Sequence, residues 1–238
     1  MNLSIETRDF WATKGIDITE DHQCIHVISQ RPLRTISSGI HGGGMRDLQH
    51  IVNFHVPETY DCADPKADLY TKIKGIGIDT TVTTGLMTAA LLEDAGFAHV
   101  TTDDACLFAI VTAGFSNAAR VGSQVSHDWH PGTINTMVVV DGFMTPEALV
   151  EAVITVTEAK AAALADLHVY CKNGLVATGT TTDAVAIGAT QSVKSSMTPI
   201  EYTGLATAFG EQLAKTVYQA CYETGQKYIE KIKNIIEY

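Results

Sequence analysis

Basic residues are scarce in this chain: 16 Lys and Arg stand against 27 Asp and Glu over 238 residues, a formal net charge of −11. Nucleic acid is thereby disfavoured as a partner, because a phosphate backbone needs a basic footprint that releases its counterions. Long apolar runs are also missing. The N-terminal Met1-Asn2-Leu3-Ser4-Ile5-Glu6-Thr7-Arg8 has no apolar segment after its charges, and no later stretch approaches a bilayer's width, so a cytoplasmic protein without membrane contact is expected. Five cysteines, Cys24, Cys62, Cys106, Cys171 and Cys221, are scattered without a Cys-x-x-Cys pair, which predicts buried, reduced thiols. No Pro/Ser-rich linker, charge run, repeat or low-complexity tract divides the chain, so one domain over residues 1–238 is expected. Nucleotide chemistry lacks its motifs: Gly75-Ile76-Gly77 is an incomplete dinucleotide fingerprint, and there is no P-loop. His41-Gly42-Gly43-Gly44 is similar to the oxyanion string of α/β-hydrolases, but without a Gly-x-Ser-x-Gly elbow that fold is excluded.

What is present reads as a mixed α/β domain. Residues 3–40 alternate apolar and polar positions between turn signals, predicting strands and hairpins with Ile16, Ile18, Ile25, Val27 and Ile36 inward. His50 to Val56 is a strand candidate ended by Pro57. The small and aliphatic stretch Val82 to Ala95 predicts a buried helix stopped by Gly96. Ala105 to Thr112 and Ile134 to Val140 are continuous apolar runs of strand length, as a sheet covered on both faces requires. Thr145 as N-cap, Pro146 at the first position and Glu147 in the first turn open a helix to about Asp166. From Thr203 the spacing is helical to the end, with Gly225 a point of kink or division. A single domain with central mixed sheets covered by helices follows, open to a layered αββα arrangement.

The helix over 146–166 carries an anomaly. Projected at 100° per residue, Glu147, Glu151 and Glu158 fall on a solvent face, while Leu149, Val153, Val156 and Leu164 form an apolar stripe with Lys160 in its middle. An ammonium there must snorkel out, pair with an acid or lose its proton, since isolated burial costs several kcal/mol. Pairing with Asp183 makes Lys160 a charge organiser or a general base.

Other polar groups sit where loops meet strands. Alternation along the strand after Gly132 puts Thr133 and Asn135 on one face, where a hydroxyl and an amide can orient a scissile carbonyl or a water, or simply satisfy turn backbone. Ser116-Asn117, between Gly114 and Gly122, offers a nucleophile or donors; with no histidine adjacent in sequence, Asn117 as an orienting donor is the better reading. Arg120 either fixes a substrate carbonyl or caps a helix. His127-Asp128-Trp129-His130, with His50 and His55, suggests a metal site, but Pro131 and the loop setting give no rigid ligand geometry, and no metal is expected.

Taken in order, Ser37-Ser38-Gly39-Ile40-His41-Gly42-Gly43-Gly44, Thr112 to Gly122, Gly132-Thr133-Ile134-Asn135, Thr157-Glu158-Ala159-Lys160 and Ala177-Thr178-Gly179-Thr180-Thr181-Thr182-Asp183 resemble the adenosylcobinamide amidohydrolase family of corrinoid salvage enzymes. One departure is His41, where the family commonly has asparagine. The resemblance implies hydrolysis of the amide joining the aminopropanol arm to the corrin ring's propionate, giving adenosylcobyric acid and 1-amino-2-propanol. It implies a small-molecule corrinoid as partner, whose cobalt enters with the substrate, and no further cofactor. Lys160 would handle the proton with Asp183 beside it, and Glu158 stays a candidate despite its helical phase. Thr133, Asn135 and Asn117 would polarise or orient. Ser37, Ser38, His41, Gly42, Gly43, Gly44, Asn53, Thr84, Gly85, Ser116, Arg120, Thr180, Thr181 and Thr182 would line the pocket. Two alternatives stay open: a corrinoid-binding protein that delivers without cutting, and a self-processing amidase with a Ser or Thr at a new N-terminus, similar in element order to four-layer αββα aminopeptidases. A homo-oligomer is compatible with either.

Overall fold

The computed structural model describes residues 1, 3–102, 105–123, 132–193 and 198–236. Its frame is one long mixed sheet that doubles back on itself. Strand β2 (Cys24–Ser37) is 14 residues long, and its pairing slips between Ile28 and Leu33. One edge of β2 pairs antiparallel with β3 (Gly44–His55). Along the other edge its first half takes β1 (Ile16–Glu20) and its second half β10 (Ala184–Ala189), both antiparallel. Beyond β3 lies β4 (Thr83–Thr88), in parallel register. Beyond β10 lie β8 (Ile134–Asp141, parallel), β6 (Cys106–Ala113) and β5 (Gly96–Thr101), the last two joined antiparallel. A two-residue ribbon of β7 (Ala118–Ala119) and β9 (Gly179–Thr180) stands apart.

The two arms of this sheet face each other. Ile25 and Val27 of β2, Ile51 of β3 and Leu86 of β4 share one apolar cluster with Phe108 and Ile110 of β6 and Met137 and Val139 of β8. The outer faces are covered by helices. Helix α2 (Pro65–Gly75) sets Leu69 and Ile73 against Val52 and Phe54, and α3 (Pro146–Asp166) with α4 (Ala208–Ile236) buries the other side of β6, β8 and β10. Strands buried on both faces explain the continuous apolar runs Cys106 to Val111 of β6 and Met137 to Val140 of β8. The layers therefore read α2, sheet arm, sheet arm, α3 with α4. The expected mixed α/β class and the αββα layering are both present, built from a single folded sheet.

Three sequence expectations are corrected. Residues 5–12 form a helix, α1 (Ile5–Ala12), rather than a strand: Ser4 accepts the Thr7 amide as N-cap, and Trp11 is buried edge-on against Phe108, ring centroids 4.7 Å apart. The stretch 82–95 is the strand β4 flanked by short 3₁₀ turns, not a helix. Partner strand and packing outweigh local composition there, and Gly85 lets Leu69 and Ile73 of α2 press onto the strand. The last helix begins at Ala208 instead of Thr203, and it passes through Gly225 undivided. The Thr145 cap and the Pro146–Asp166 span of α3 stand as expected, with the Thr145 side chain accepting the Ala148 amide.

Under α2, His26 of β2 and His50 of β3 touch, His26 Nε2 lying 3.0 Å from His50 Nδ1. Burial, with the neighbouring His50 second, holds His26 down at about 4, Asp21 partly opposing. The unfolded chain titrates near 6.5. A histidine depressed on folding contributes stability that is whole above pH 6.5 and lost as pH falls toward 4. The melting temperature is expected to drop across that window, and the drop to flatten in His26→Gln; an unchanged pH profile in the variant overturns the assignment.

Candidate active site

Asp183 sits at the foot of the hydroxyl-rich turn before β10 and is saturated with donors. It accepts from the Thr180 amide at 3.1 Å, from Thr180 Oγ1, from the Ile134 amide at 3.1 Å and from Lys160 Nζ. This reach back to the i−3 amide is capping-box geometry applied to a loop. Lys160, reaching across from α3, is 8% exposed. The expected acid partner for the buried ammonium is therefore in place. Gly179 is required here, because a Cβ would collide with both Asp183 Oδ2 and Lys160 Nζ. Behind the pair lies Cys221 of α4, fully buried, its thiol pushed up to about 12 by desolvation, with Lys160 opposing and Asp183 adding to the shift. Glu158 lies on the exposed face of α3, as its helical phase requires.

The strands supply a second polar group, nearly all of it buried. Asn135 donates to Asn53 Oδ1 at 2.8 Å and to the Met87 carbonyl at 2.7 Å, while Asn53 donates to Thr112 Oγ1 at 2.9 Å. These bonds pin one sheet arm to the other. Thr133 Oγ1 faces two acceptors, the Thr182 carbonyl at 2.9 Å and Asn135 Oδ1 at 3.1 Å. Asn117 donates to the Gly132 carbonyl at 2.6 Å and to Thr181 Oγ1 at 2.7 Å, and Thr182 Oγ1 reaches the same Gly132 carbonyl at 2.6 Å. An amide nitrogen carries two protons. Both are therefore spoken for in Asn135 and in Asn117, but the Asn117 partner Thr181 is an exposed hydroxyl that a ligand can displace, whereas Asn135 is held by the buried Asn53 and the half-buried Met87 carbonyl.

The glycine-rich string between β2 and β3 is a tight turn packed on β4. The Gly39 amide donates to Ser37 Oγ at 2.9 Å, Ser37 Oγ bonds Thr84 Oγ1 at 2.8 Å, and Thr84 Oγ1 donates to the His41 carbonyl at 3.1 Å. The His41 ring donates from Nε2 to the Thr80 carbonyl at 2.9 Å. Gly42 has φ +62° with no room for a Cβ against the Thr83 carbonyl, and Gly43 presses on the Gly39 carbonyl. Gly42→Ala is expected to destabilise by more than the ~1 kcal/mol that a left-handed φ alone costs, read as a shifted denaturation midpoint with unchanged slope; a wild-type midpoint overturns this packing. Ser38 ties this turn to β10, its amide donating to the Val185 carbonyl at 2.9 Å and its hydroxyl accepting the Val185 amide at 3.0 Å. Arg120 donates to the Val176 carbonyl at 2.8 Å and so holds the loop before β9.

Between the sheet arms a cleft of about 220 Å³ opens beside these groups. One wall is Val56 and Leu86 to Ala89; the other is Gly132, Thr133, Asn135, Thr182 and Ala184; Ile40, Tyr60 and Pro65 stand at the rim. The structure thus brings Thr133, Asn135 and Thr182 to one cleft, with Asn117, Ser116 and Thr181 around Gly132 next to it. Lys160 and Asp183 back the wall without lining it. Ser37, His41 and Thr84 brace the nearby turn, and Arg120 belongs to the β7–β9 ribbon. Tyr60, whose hydroxyl donates to Asp68 at 2.8 Å, and Thr88 were not marked by any motif. His127, Asp128, Trp129 and His130 lie outside the described residues, and among the described residues no group of three metal-binding side chains forms.

The model of the family described as adenosylcobinamide amidohydrolase matches residues 10–233. The chain belongs to that family. As an adenosylcobinamide amidohydrolase family member it is a hydrolase acting on an amide. It is 32% identical over 196 residues to the adenosylcobinamide amidohydrolase of Methanosarcina mazei, covering 80% of this chain and 89% of that one. An uncharacterized protein of Methanocaldococcus jannaschii is 27% identical over 216 residues, covering 80% and 81%. A solved protein from Pyrococcus horikoshii OT3 overlays 90% of this chain and 82% of its own at 12% identity and a TM-score of 0.44, too loose to add to the argument. For this amidohydrolase family member the cleft has a plain chemical character: among the described residues that line it there is no Asp, Glu, Lys, Arg or His. No helix among the described residues is long and apolar enough to cross a membrane.

Proposed function

We propose that the protein cleaves the aminopropanol amide of adenosylcobinamide, releasing adenosylcobyric acid and 1-amino-2-propanol in corrinoid salvage. The observation that carries this reading is the cleft itself, a slot of about 220 Å³ with an aliphatic wall and a wall of hydroxyls and amides. Pockets that enclose a whole drug-sized ligand run from roughly 300 to 1,000 Å³. A corrin ring is far too large to enter, but a neutral, amide-bearing arm matches both walls, leaving the ring at the rim against Ile40 and Tyr60.

Hydrolysis needs a water or hydroxyl to attack the carbonyl carbon, donors for the oxyanion that forms, and a proton for the departing amine as the C–N bond breaks. In our reading Asn117 is the oxyanion donor, turning an N–H from Thr181 to the substrate, while Thr133 and Thr182 orient the amide or the attacking water. Lys160 and Asp183 act as positioning residues: they fix the Thr180–Thr182 turn and set the charge behind it, while Asn135 and Asn53 keep the walls at their spacing. Glu158 takes no part.

Incubating the protein with adenosylcobinamide and assaying free 1-amino-2-propanol tests the reading. Catalytic release is expected. Stoichiometric corrinoid binding without release replaces hydrolysis by delivery, and two chains in an intact-mass spectrum in place of one at 25.6 kDa establish self-processing.

A further inference from the structure

A second cavity, about 460 Å³, opens at the far end of the central strands. It lies where β8 ends at Asp141 and where the chain leaves β10 through Thr190 and Ser192. The cleft adjoins the other end of β8, so the length of that eight-residue strand separates the two, seven steps of 3.3 Å or about 23 Å. Four separate segments converge on the cavity: the end of α1, the slipped stretch of β2, the end of β8 and the exit from β10. Its size falls in the range that holds small ligands, and it sits outside the carboxyl ends of a parallel strand pair, the place where open α/β sheets bind ligands.

Most of the described residues that line it are polar or charged. Asp141 is 3% exposed and accepts from Thr190 Oγ1 at 2.9 Å; Lys14 Nζ stands 3.6 Å from its Oδ2, an ion pair too long to use up the ammonium's donors. Arg31 is exposed, and while its carbonyl accepts from Ser29 Oγ, its guanidinium makes no hydrogen bond or ion pair among the described residues. Among the described lining residues two cations stand against one carboxylate, and Thr190 and Ser192 add hydroxyls 2.9 Å apart. The backbone here is held in a demanding shape: Gln191 adopts φ +57°, and its side chain is tied to the Met144 carbonyl at 3.1 Å. A non-glycine residue in that region costs on the order of 1 kcal/mol or more, so the surrounding structure must enforce the exit that presents these hydroxyls.

We propose that this cavity is a second binding site, for a small phosphate ester that also carries hydroxyl groups. Lys14 and Arg31 take the phosphate, and Thr190, Ser192 and Asp141 take the hydroxyls. The proposal stands independently of the reaction in the cleft. Titration calorimetry with ribose 5-phosphate, inorganic phosphate and ribose tests it. Saturable one-to-one binding of ribose 5-phosphate is expected, at least tenfold tighter than inorganic phosphate, with ribose undetected. Lys14→Met and Arg31→Met should each weaken it at least tenfold. Arg31 has no internal contact to lose, so that variant reports binding even if Lys14→Met folds poorly. No binding of ribose 5-phosphate, equal affinity for inorganic phosphate, or full affinity in Arg31→Met would each overturn the proposal.

Discussion

Asp183→Ala is expected to lower the melting temperature by on the order of 10 °C and to remove amide hydrolysis. The substitution strands the Lys160 ammonium, 8% exposed, beneath the Thr180–Thr182 turn, and it takes the acceptor from two backbone amides and one hydroxyl. Breaking a buried pair by deleting one partner costs about 3–5 kcal/mol. In a chain of this size each kcal/mol moves the midpoint by roughly 2–4 °C. Lys160→Met leaves the carboxylate unbalanced instead, though it keeps its three other donors, so its loss of stability should be the smaller. The informative variant carries both changes. With the two charges gone, stability should return most of the way, since neutral replacement of a buried pair is often harmless, while hydrolysis stays absent because the turn has lost its anchor. Calorimetric scans beside aminopropanol release would separate these outcomes. A double variant that recovers turnover along with stability would remove the pair from the reaction.

Asn117→Ala should lower kcat for adenosylcobinamide hydrolysis by about 10² to 10³ with little change in KM, the loss typical of one oxyanion donor. Its cost to folding should be modest, because one of the two acceptors of its amide protons is the exposed Thr181 hydroxyl. Asn135→Leu should behave the other way. It uncouples the buried Asn53 Oδ1 and the Met87 carbonyl, each abandoned acceptor costing about 1–3 kcal/mol, so stability falls first and activity follows through the spacing of the walls. The contrast is read from kcat and KM at a temperature where both variants are folded. If Asn117→Ala retains wild-type kcat while Asn135→Leu, fully folded, loses it, the donor assignment passes to Asn135.

How far these groups could be read in advance depended on range. Lys160 stood out because a single helix's periodicity is a local signal, and an ammonium in an apolar stripe has few physical outcomes; Asp183 as its acid came from the hydroxyl-rich string and the family resemblance, since periodicity names no partner. The α3 cap and the continuous strands β6 and β8 were legible for the same reason. Other features are decided by contacts between distant segments. Val82 to Ala95 carries helix-like composition, yet β3 claims it as a parallel strand, and α1 looked like the opening of a hairpin until Trp11 found Phe108. Tyr60 and Thr88 carry no motif, and they reach the cleft only because the sheet folds over. The glycine-rich string shows the reverse case. Its residues read as pocket lining, but Ser37 Oγ bonds Thr84 Oγ1 and the Gly39 amide, Thr84 the His41 carbonyl and the His41 ring the Thr80 carbonyl, a use that spacing cannot distinguish from ligand contact.

Strand β10 joins the two arms of the sheet, entering between β2 and β8. A nascent chain therefore holds two unjoined half-sheets, each with a bare hydrogen-bonding rim, until residue 189 has left the ribosome. Pairing of that kind closes long loops late, which slows folding and leaves rims open to other chains. The join that places Thr182 against Gly132 is thus also the step at which newly made protein is most exposed to misassembly.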